Sequence, residues 1–459
     1  MNILWILEDA LRPDHMGCYG YSRKTTPHCD RLAAEGVRFE TVIATASHTL
    51  PPLISMIMGQ WAATHGIVNP KRFSMWKNAE LWQGIQTPLH VLRNQGFSID
   101  GELVLRWKPL GFERDTAGND IEKYFQRNQD RQWFFFAEPY PTHLPYNPPE
   151  EYYRMFLDPS LHPDQGVNDR LKAVRSHLIV HPSGVISKLE AGEKDPLPDN
   201  ESDASHKRTA GTVDLLPEDK PFIQALYDGE ARVFDDLIGR WINKLQELGI
   251  LDDTLIIVTA DHGEELMERG HVGHCSCNLK GTLYDESIKV PLIMRYPRKL
   301  PQGRVIQQQV SQIDIMPTVF DLLDLPKPSW MDGRSTLPLI NGRAVEFREE
   351  VYAETTPAGW QAMEHDGREI WCVRTEEWKL ILYTIADRHE KRCELFNLKS
   401  DPAEVKNLFD QRQDIVAGLM PKLTAYLERA ARPSIGLPRR PDRESHRGVV
   451  TRRAGPVLD

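Results

Sequence analysis

The stretch TLIIVTADHGEELMERGHVGHCSCNLK, residues 254–280, indicates the fold more clearly than any other part of the chain. Its apolar run LIIV at 255–258 is short and unbroken, which predicts a strand buried on both faces of a sheet. Asp261 and His262 follow the run, where open α/β sheets collect ligands, and they offer oxygen and nitrogen donors to a divalent cation. From the residues alone, a helix N-cap beside a hydrogen-bonded histidine is the alternative.

Length and composition predict a globular, acidic protein. The chain has 459 residues, of which 40% are apolar, enough for one large domain with a smaller one appended or for two domains. A net charge of −10 argues against general affinity for nucleic acid or anionic membranes. No signal peptide or long apolar span is recognisable, and six cysteines are too sparse for a disulfide scaffold. We therefore expect a soluble, cytoplasmic protein.

A second apolar run that ends in acids opens the chain. ILWIL at 3–7 predicts another buried strand, and Glu8 and Asp9 follow it. If the two strands are parallel neighbours, Asp9 would meet Asp261 and His262 around one cation. Glu8 would point the other way if the strand continues that far.

The segment TLPPLISMIMG at 49–59 predicts a helix that begins near two prolines and ends at a glycine. Helix N-termini favour negative charge, so Thr49 could act there as a nucleophile towards an anionic substrate, if a metal ion lowers the pKa of its hydroxyl. The alternative is that Thr49 is an ordinary N-cap.

Taken together, the motifs of this chain resemble the sulfatase family of the alkaline phosphatase superfamily. They are LEDALRPDHMGCYGY (7–21), TLPPLISMIMG (49–59), THLPYNPPEEY (142–152), TADHGEE (259–265), LKGTLYDESIKVPLIMRYP (279–297), QIDIMPTVFDLLDL (312–325) with MDGRSTLPLI (331–340), and ELFNLKSDPAEVKNL (394–408). The resemblance implies an α/β, alkaline-phosphatase-like fold with a mixed, mostly parallel sheet between helices. A smaller C-terminal α+β subdomain would follow it.

This resemblance and the local composition suggest three parts of the chain. We expect a catalytic domain at 1–345, a subdomain at 346–431 and an Arg/Pro-rich tail at 432–459. A polar, Pro-rich loop or lid at about 160–221 is expected to influence substrate choice. The tail is expected to stay disordered or to wrap a neighbouring subunit, which would make a homo-oligomer.

The family's metal-binding and nucleophile positions carry over to four residues. Asp9 matches the first metal aspartate, and Asp261 with His262 match the later pair. Thr49 matches the nucleophile, which is also a metal ligand, because it precedes Gly59 by the ten residues that separate the family's nucleophile from its glycine. These donors suit one divalent ion, which could be Mn, Mg, Ca or Zn.

Two further residues match catalytic positions of sulfatases and phosphonate monoester hydrolases. His143 matches the catalytic histidine and Lys280 matches the lysine. In those enzymes the two side chains hold a substrate oxygen and protonate the leaving group, in the place that a second zinc takes in alkaline phosphatases. The resemblance therefore favours one metal ion over two.

The segment HVGHCSC at 271–277 holds two histidines and two cysteines, which raises the question of a zinc site. Its Cys-x-Cys spacing differs from the Cys-x-x-Cys of zinc knuckles, so we interpret the segment as an active-site loop. His271 and His274 are candidate substrate contacts, and Asn69 is a third.

The nucleophile position departs from formylglycine sulfatases, which carry cysteine or serine there. Threonine cannot become formylglycine, and Leu53 replaces the arginine of the recognition motif. Thr49 instead resembles the nucleophile of nucleotide pyrophosphatase-phosphodiesterases, phosphonoacetate hydrolases and lipoteichoic acid synthases. The sequence thus predicts a metal-dependent hydrolase of small anionic phosphate or phosphonate mono- or diesters, without formylglycine. The alternatives are a sulfuric ester hydrolase and a catalytically degenerate binding protein.

Overall fold

The computed structural model describes residues 1–67, 86–102, 110–112, 114–115, 121–181, 210–278, 281–343, 347–356, 368–385 and 390–430. The strands in these ranges are β1 (Asn2–Glu8), β2 (Val37–Phe39), β3 (Val42–Ile43), β4 (Ser98–Glu102), β5 (Arg114–Asp115), β6 (Trp133–Ala137), β7 (Ile179–His181), β8 (Ala210–Thr212), β9 (Thr254–Ala260), β10 (Glu265–Leu266), β11 (Val272–Gly273), β12 (Lys289–Val290), β13 (Leu292–Arg295), β14 (Arg304–Ile306), β15 (Val310–Ser311), β16 (Val351–Thr355), β17 (Arg368–Arg374), β18 (Trp378–Ile385) and β19 (Glu390–Asn397). The α-helices are α1 (Pro27–Ala34), α2 (Leu50–Met58), α3 (Ala62–His65), α4 (Pro88–Asn94), α5 (Ile121–Asn128), α6 (Glu150–Phe156), α7 (Gln165–Ser176), α8 (Lys220–Glu247), α9 (Cys275–Asn278), α10 (Asp285–Ile288), α11 (Ile315–Leu322), α12 (Leu337–Ile340) and α13 (Gln413–Ala430).

The main sheet has the strand order β14-β2-β13-β9-β1-β6-β4-β5. Strands β9, β1, β6, β4 and β5 are parallel, and β13 runs antiparallel to both β9 and β2. Every residue of β1, β6 and β9 is buried, as expected for apolar runs covered on both faces. The predicted mixed, mostly parallel sheet is therefore confirmed.

Strands β1 and β9 are direct neighbours, and their register places their ends side by side. Glu8 pairs with Ala260 at the carboxyl ends of the two strands. Asp9 and Asp261 are the next residues on each chain segment. The geometry of the sheet thus brings together two acids that are distant in the sequence.

The long helix α8 packs against α1 and α6. The helix begins at Lys220, with Pro221 in its first turn, where proline is favoured. Tyr227 on α8 accepts a hydrogen bond from Arg12 N (2.9 Å) and donates one to Ala10 O (2.7 Å), which fixes the loop after β1.

The segment expected to be a polar loop or lid contains regular structure. Helix α7 and the parallel pair β7-β8 lie within it, and residues 182–209 are outside the described ranges. Val167, Leu171 and Val174 are buried on one face of α7 at helical spacing. Asp164 caps the helix by accepting a hydrogen bond from Val167 N at 2.8 Å. The many polar residues of this segment obscured a short amphipathic pattern.

The C-terminal subdomain is an antiparallel sheet of order β16-β17-β18-β19 with helix α13 packed against it. An ion-pair cluster joins it to the main domain, and we call Asp285, Arg374, Lys379 and Glu404 the junction cluster. Arg374 and Lys379 each approach Asp285 within 2.7 Å, and Lys379 lies 2.7 Å from Glu404. Lys379 is completely buried.

Among the residues described, the longest helices are too polar or too short to cross a lipid bilayer.

Candidate active site

Asp9, Asp261 and His262 form a buried group at the carboxyl ends of β1 and β9, which we call the Asp-Asp-His cluster. His262 Nε2 lies 3.5 Å from Asp9 Oδ1 and 3.4 Å from Asp261 Oδ2. The three side chains are at most 2% exposed. The structure thus brings together the three residues that the sequence predicts as metal ligands.

Backbone groups orient the cluster. Asp261 Oδ1 accepts hydrogen bonds from Ala10 N (3.1 Å) and His262 N (2.8 Å). His262 Nδ1 donates to Gly263 O at 2.8 Å, which leaves Nε2 as the ring's lone-pair atom. Ala10 has φ 63°, a left-handed conformation that few non-glycine residues adopt, and this conformation accompanies the hydrogen bond from its amide to Asp261.

The donor atoms fit a divalent cation. Within the described residues, Asp9 Oδ1, Asp261 Oδ2 and His262 Nε2 are buried without a hydrogen-bond partner. They also lie within 4.8 Å of one another. Buried polar atoms are rarely left unpaired, and two carboxylate oxygens with an imidazole nitrogen suit Mn, Mg, Ca or Zn.

Burial makes the ionised form of this cluster unfavourable in the absence of a cation. Burial, together with the charge of Asp261, raises the pKa of Asp9 well above its ordinary value. Burial also raises the pKa of Asp261 to about 7, although hydrogen bonds from Ala10 and His262 oppose the shift. The pKa of His262 falls to about 3 because burial disfavours the charged ring. A bound cation would reverse the preference of the carboxyl groups for the protonated state.

Thr49 precedes helix α2 and points to the cluster. Thr49 occupies the N-cap position, but its side chain makes no capping hydrogen bond with the first turn of α2, so the N-cap alternative does not account for the hydroxyl. Instead, Oγ1 donates to Asp9 Oδ2 at 3.4 Å, and Thr49 is 7% exposed. The hydroxyl therefore lies beside the candidate metal ligands, as the sequence predicts for a nucleophile.

Two supporting residues were not singled out from the sequence. Gln312 Nε2 donates at 2.7 Å to both Ala260 O and Asp261 O, and so fixes the end of β9. Thr142 donates to Glu8 Oε1 from its backbone (2.8 Å) and from its hydroxyl (2.9 Å). Glu8 therefore faces Thr142, as strand alternation suggests, and is not grouped with the Asp-Asp-His cluster.

Close backbone contact connects the end of β9 to helix α10. Gly263 N donates to Ser287 O at 2.9 Å, and Glu264 N donates to Glu286 O at 2.8 Å. A Cβ atom on Gly263 would lie 2.1 Å from Glu286 O, so only glycine permits this contact.

A second buried group, which we call the His-His-Cys cluster, consists of His143, His274 and Cys277. His143 follows β6, whereas the other two residues lie at helix α9. Cys277 Sγ lies 3.8 Å from His143 Nε2 and 3.6 Å from His274 Nε2. The His274 ring is also 4.3 Å from that of His262, measured between ring centroids, so the two clusters adjoin. Burial lowers the pKa of His274 and raises that of Cys277, which favours a neutral ring and a thiol when no cation is bound.

The other predicted site residues are separate from these clusters or outside the described ranges. His271 Nε2 lies 2.5 Å from Glu265 Oε2, and His271 Nδ1 lies 3.0 Å from Arg269 O. Lys280, Asn69 and the tail at 432–459 fall outside the described residues, so their roles stay predictions.

The fold and the Asp-Asp-His cluster agree with those that the family resemblance predicts from the sequence. The chain belongs to the sulfatase family, because the sequence profile named Sulfatase matches residues 1–325. A second profile, "N-sulphoglucosamine sulphohydrolase, C-terminal", matches residues 276–431. It is therefore an ester hydrolase of a metal-dependent family.

Three comparisons illustrate the similarity. The chain is 23% identical to N-acetylglucosamine-6-O-sulfatase of Bacteroides thetaiotaomicron, over 90% of this chain and 83% of that protein. It is 24% identical to human arylsulfatase A, over 93% of this chain and 86% of that protein. The phosphonate monoester hydrolase of Agrobacterium radiobacter has a similar structure, with a TM-score of 0.69 and 21% identity over 94% of this chain and 96% of that one, which shows the fold alone. These comparisons support sulfuric esters, the alternative from the sequence, better than the phosphorus esters that it favours.

Proposed function

We propose that this protein hydrolyses small anionic sulfuric esters, with Thr49 as the nucleophile and the Asp-Asp-His cluster as the holder of one divalent cation. The observation that carries the proposal is the position of Thr49 Oγ1, 3.4 Å from Asp9 Oδ2. This arrangement occurs in a chain whose family and named relatives support sulfatase activity.

In the proposed reaction, the side chains have separate tasks. Because Thr49 Oγ1 donates its hydrogen to Asp9 Oδ2, Asp9 is placed to accept that proton as the oxygen attacks the substrate. A bond forms from Thr49 Oγ1 to sulfur, the bond from sulfur to the alcohol oxygen breaks, and the alcohol leaves with the proton that Asp9 accepted. Water then attacks the sulfur of the threonine ester, which releases sulfate and restores the hydroxyl. A cation bound by Asp9, Asp261 and His262 would neutralise negative charge on the ester oxygens.

A second candidate function is the hydrolysis of phosphate or phosphonate esters. Thr49 favours it, because threonine cannot supply the formylglycine aldehyde that releases sulfate from formylglycine enzymes. A threonine ester must instead be hydrolysed by water attacking sulfur or phosphorus. The same side chains would perform these steps on either substrate, so substrate comparison is the direct test.

The test is the turnover of an aryl sulfate, an aryl phosphodiester and an aryl phosphonate monoester that share one leaving group. The enzyme is loaded in turn with Mn, Mg, Ca or Zn. We expect the highest kcat/KM for the sulfate. A higher value for either phosphorus ester would replace the sulfatase proposal with the second candidate. No hydrolysis with any of the metals would favour a binding protein.

Mass spectrometry of acid-quenched enzyme tests the nucleophile independently. A sulfate or phosphate group on the peptide containing Thr49 supports the assignment. An unmodified Thr49 during rapid turnover, with the adduct on another residue, would contradict it.

A further inference from the structure

The His-His-Cys cluster has a geometry that the roles expected from the sequence do not explain. Both histidines direct Nε2 at the same sulfur atom, at 3.8 Å from His143 and 3.6 Å from His274. The three side chains come from two distant segments and are between 1% and 6% exposed.

Hydrogen bonds at the other nitrogen orient each ring. His143 Nδ1 lies 2.5 Å from Leu144 O, and a carbonyl only accepts, so the hydrogen of the neutral ring is on Nδ1. His274 Nδ1 lies 3.3 Å from Glu264 Oε2. A carboxylate or a carbonyl behind each imidazole is the usual arrangement of histidines that bind metal through Nε2.

The three donor atoms converge on one position. Both Nε2 atoms face Cys277 Sγ, so a cation between the three atoms would contact both rings and the sulfur simultaneously.

The distances agree with tetrahedral coordination. Zinc lies about 2.0–2.1 Å from histidine nitrogen and about 2.3 Å from cysteine sulfur, so two such ligands are roughly 3.6 Å apart. The observed separations of 3.6 and 3.8 Å are close to that value. All three donor atoms lie within 4.8 Å of one another.

The residues beside the cluster show that the loop brings Cys277, and not Cys275, close to the segment of His143. Gly273 has φ +86°, and a Cβ atom on it would lie 2.8 Å from Leu144 Cδ1 and 2.9 Å from Cys277 Cβ. Glycine therefore allows the loop to bring Cys277 close to the segment of His143. Cys275 is equally buried, but its sulfur contacts Ser47 O at 3.2 Å instead of the cluster.

We propose that His143, His274 and Cys277 bind a second metal ion of the zinc type, beside the cation of the Asp-Asp-His cluster. A thiolate with two imidazoles selects zinc over magnesium, calcium or manganese. On binding, the Cys277 S–H bond breaks, the proton passes to solvent and a metal–sulfur bond forms. Three protein ligands leave the fourth tetrahedral position open to water or an ester oxygen.

This proposal goes beyond the proposed function and is independent of it. It also excludes one role of His143, since Nε2 cannot hold a metal ion and a proton for the leaving group at the same time. The experiment below therefore decides between the metal-binding role and the proton-donating role expected from the sequence.

Cobalt(II) is the probe, because a cobalt–thiolate bond gives a charge-transfer absorption that carboxylate ligands do not produce. We would titrate the metal-free full chain with cobalt and measure both absorption and bound metal per chain. We expect the charge-transfer band and two bound ions in the wild type. Cys277→Ser should lose the band and one ion, whereas the matched control Cys275→Ser should retain both.

Two further variants assign the band to the cluster. Asp261→Asn should weaken binding at the first site and keep the band, and His274→Gln should weaken the band without changing the cysteine content. Equal spectra for the wild type and Cys277→Ser, or loss of the band in Cys275→Ser alone, would overturn the proposal.

A measurement on the wild type keeps the proposal testable if Cys277→Ser does not fold. Two equivalents of zinc should abolish the cobalt band, because zinc suits both clusters, while an excess of magnesium should leave it. Cobalt bound to the wild type without the band would refute the second site. None of these readouts requires turnover, so the proposal can fail while the proposed function stands, and the reverse also holds.

Discussion

The active site and the subdomain junction both bury carboxylates, but they neutralise them differently. At the junction, Arg374 and Lys379 hold the pKa of Asp285 well below its ordinary value, although burial alone would raise it. At the active site, Asp9 and Asp261 have no lysine or arginine ion pair within the described part of the chain, and burial raises their pKa values. The junction therefore carries its own cations, whereas the described active-site residues leave their acids to a proton or an added cation.

This difference separates a structural role from a functional one. Removing one partner of a complete buried ion pair leaves an uncompensated buried charge, which mainly lowers stability. A buried carboxylate that lacks a cation destabilises the metal-free protein and creates affinity for a ligand. Substitutions in the two regions should accordingly change different measured quantities.

The largest effect is expected for Thr49→Val, which keeps the side-chain shape but removes the hydroxyl. Turnover should fall on the order of 10⁴-fold or more, as for other enzymes that lose their nucleophile. The melting temperature should change little, because Thr49 makes no capping hydrogen bond. Thr49→Ser is the control and should retain activity. A Val variant with the parent kcat would remove Thr49 from the mechanism.

At the junction, Lys379→Met should lower the free energy of unfolding by roughly 3–5 kcal/mol, because it leaves a buried carboxylate without its partner. The matched control is Lys399→Met, since Lys399 pairs with Glu377 on the surface and such pairs contribute at most about 1 kcal/mol. Urea denaturation measures both. If the two variants lose the same free energy of unfolding, the buried ion pair contributes no more than the surface pair, which would contradict the expected difference.

Magnesium should stabilise the wild type and not Asp261→Asn, because the variant loses a charged ligand of the Asp-Asp-His cluster and the His-His-Cys cluster selects zinc over magnesium. At a free metal concentration of 100 times Kd, binding to the native state adds about 2.7 kcal/mol to the free energy of unfolding. Thermal unfolding with and without a chelator measures this difference. Lys379→Met should keep the metal-dependent increase in the free energy of unfolding. If this variant lacks the increase, the junction cluster and the active site are not independent.

The smallest effect is the pH dependence of metal affinity. Asp261 has a pKa raised to about 7, so below that pH an incoming cation must displace its proton. Affinity should therefore fall about tenfold for each pH unit below 7 per proton displaced. Calorimetric titration at pH 6, 7 and 8 checks this dependence, and affinity that is constant across the series would contradict it.

At the junction cluster, the pKa shifts predict no change in stability near neutral pH. The folded pKa of Asp285 is depressed, so its contribution to stability is fully present above its unfolded pKa, near 3.8, and is lost only as the pH falls through its lower folded value. The folded pKa of Lys379 is raised above 10.5, so its contribution persists until the pH rises above that value. The stability from this pair should not change between pH 6 and 8.

The sequence predicted the parts of the fold that follow from local patterns. The apolar runs of β1 and β9 end in Asp9 and Asp261, and the parallel register places those ends together as expected. The pairing of the two strands was only a condition of that prediction, because hydrophobicity alone does not show which strands are neighbours. The roles of Lys280 and Asn69 remain predictions.

Long-range contacts were not predictable from local patterns. His274 and Cys277 are three residues apart, but their third partner, His143, is separated from Cys277 by 134 positions. The Cys-x-Cys spacing therefore suggested no metal site. Lys379 lies within the strand WKLILYTI, where a lysine would be expected to face solvent, and only the tertiary structure shows that Asp285 and Glu404 surround it.

The contact between Gly263 and helix α10 makes the support of the active site depend on a segment that is translated later. Helix α10 begins at Asp285, whose backbone N–H donates to Glu404 at 2.5 Å, so the end of β9 rests on a helix that the subdomain secures. Because domains form from the N-terminus during synthesis, the acids of β1 and β9 emerge from the ribosome long before Glu404 does. The residues that support the end of β9 are therefore all present only after Glu404 has been translated.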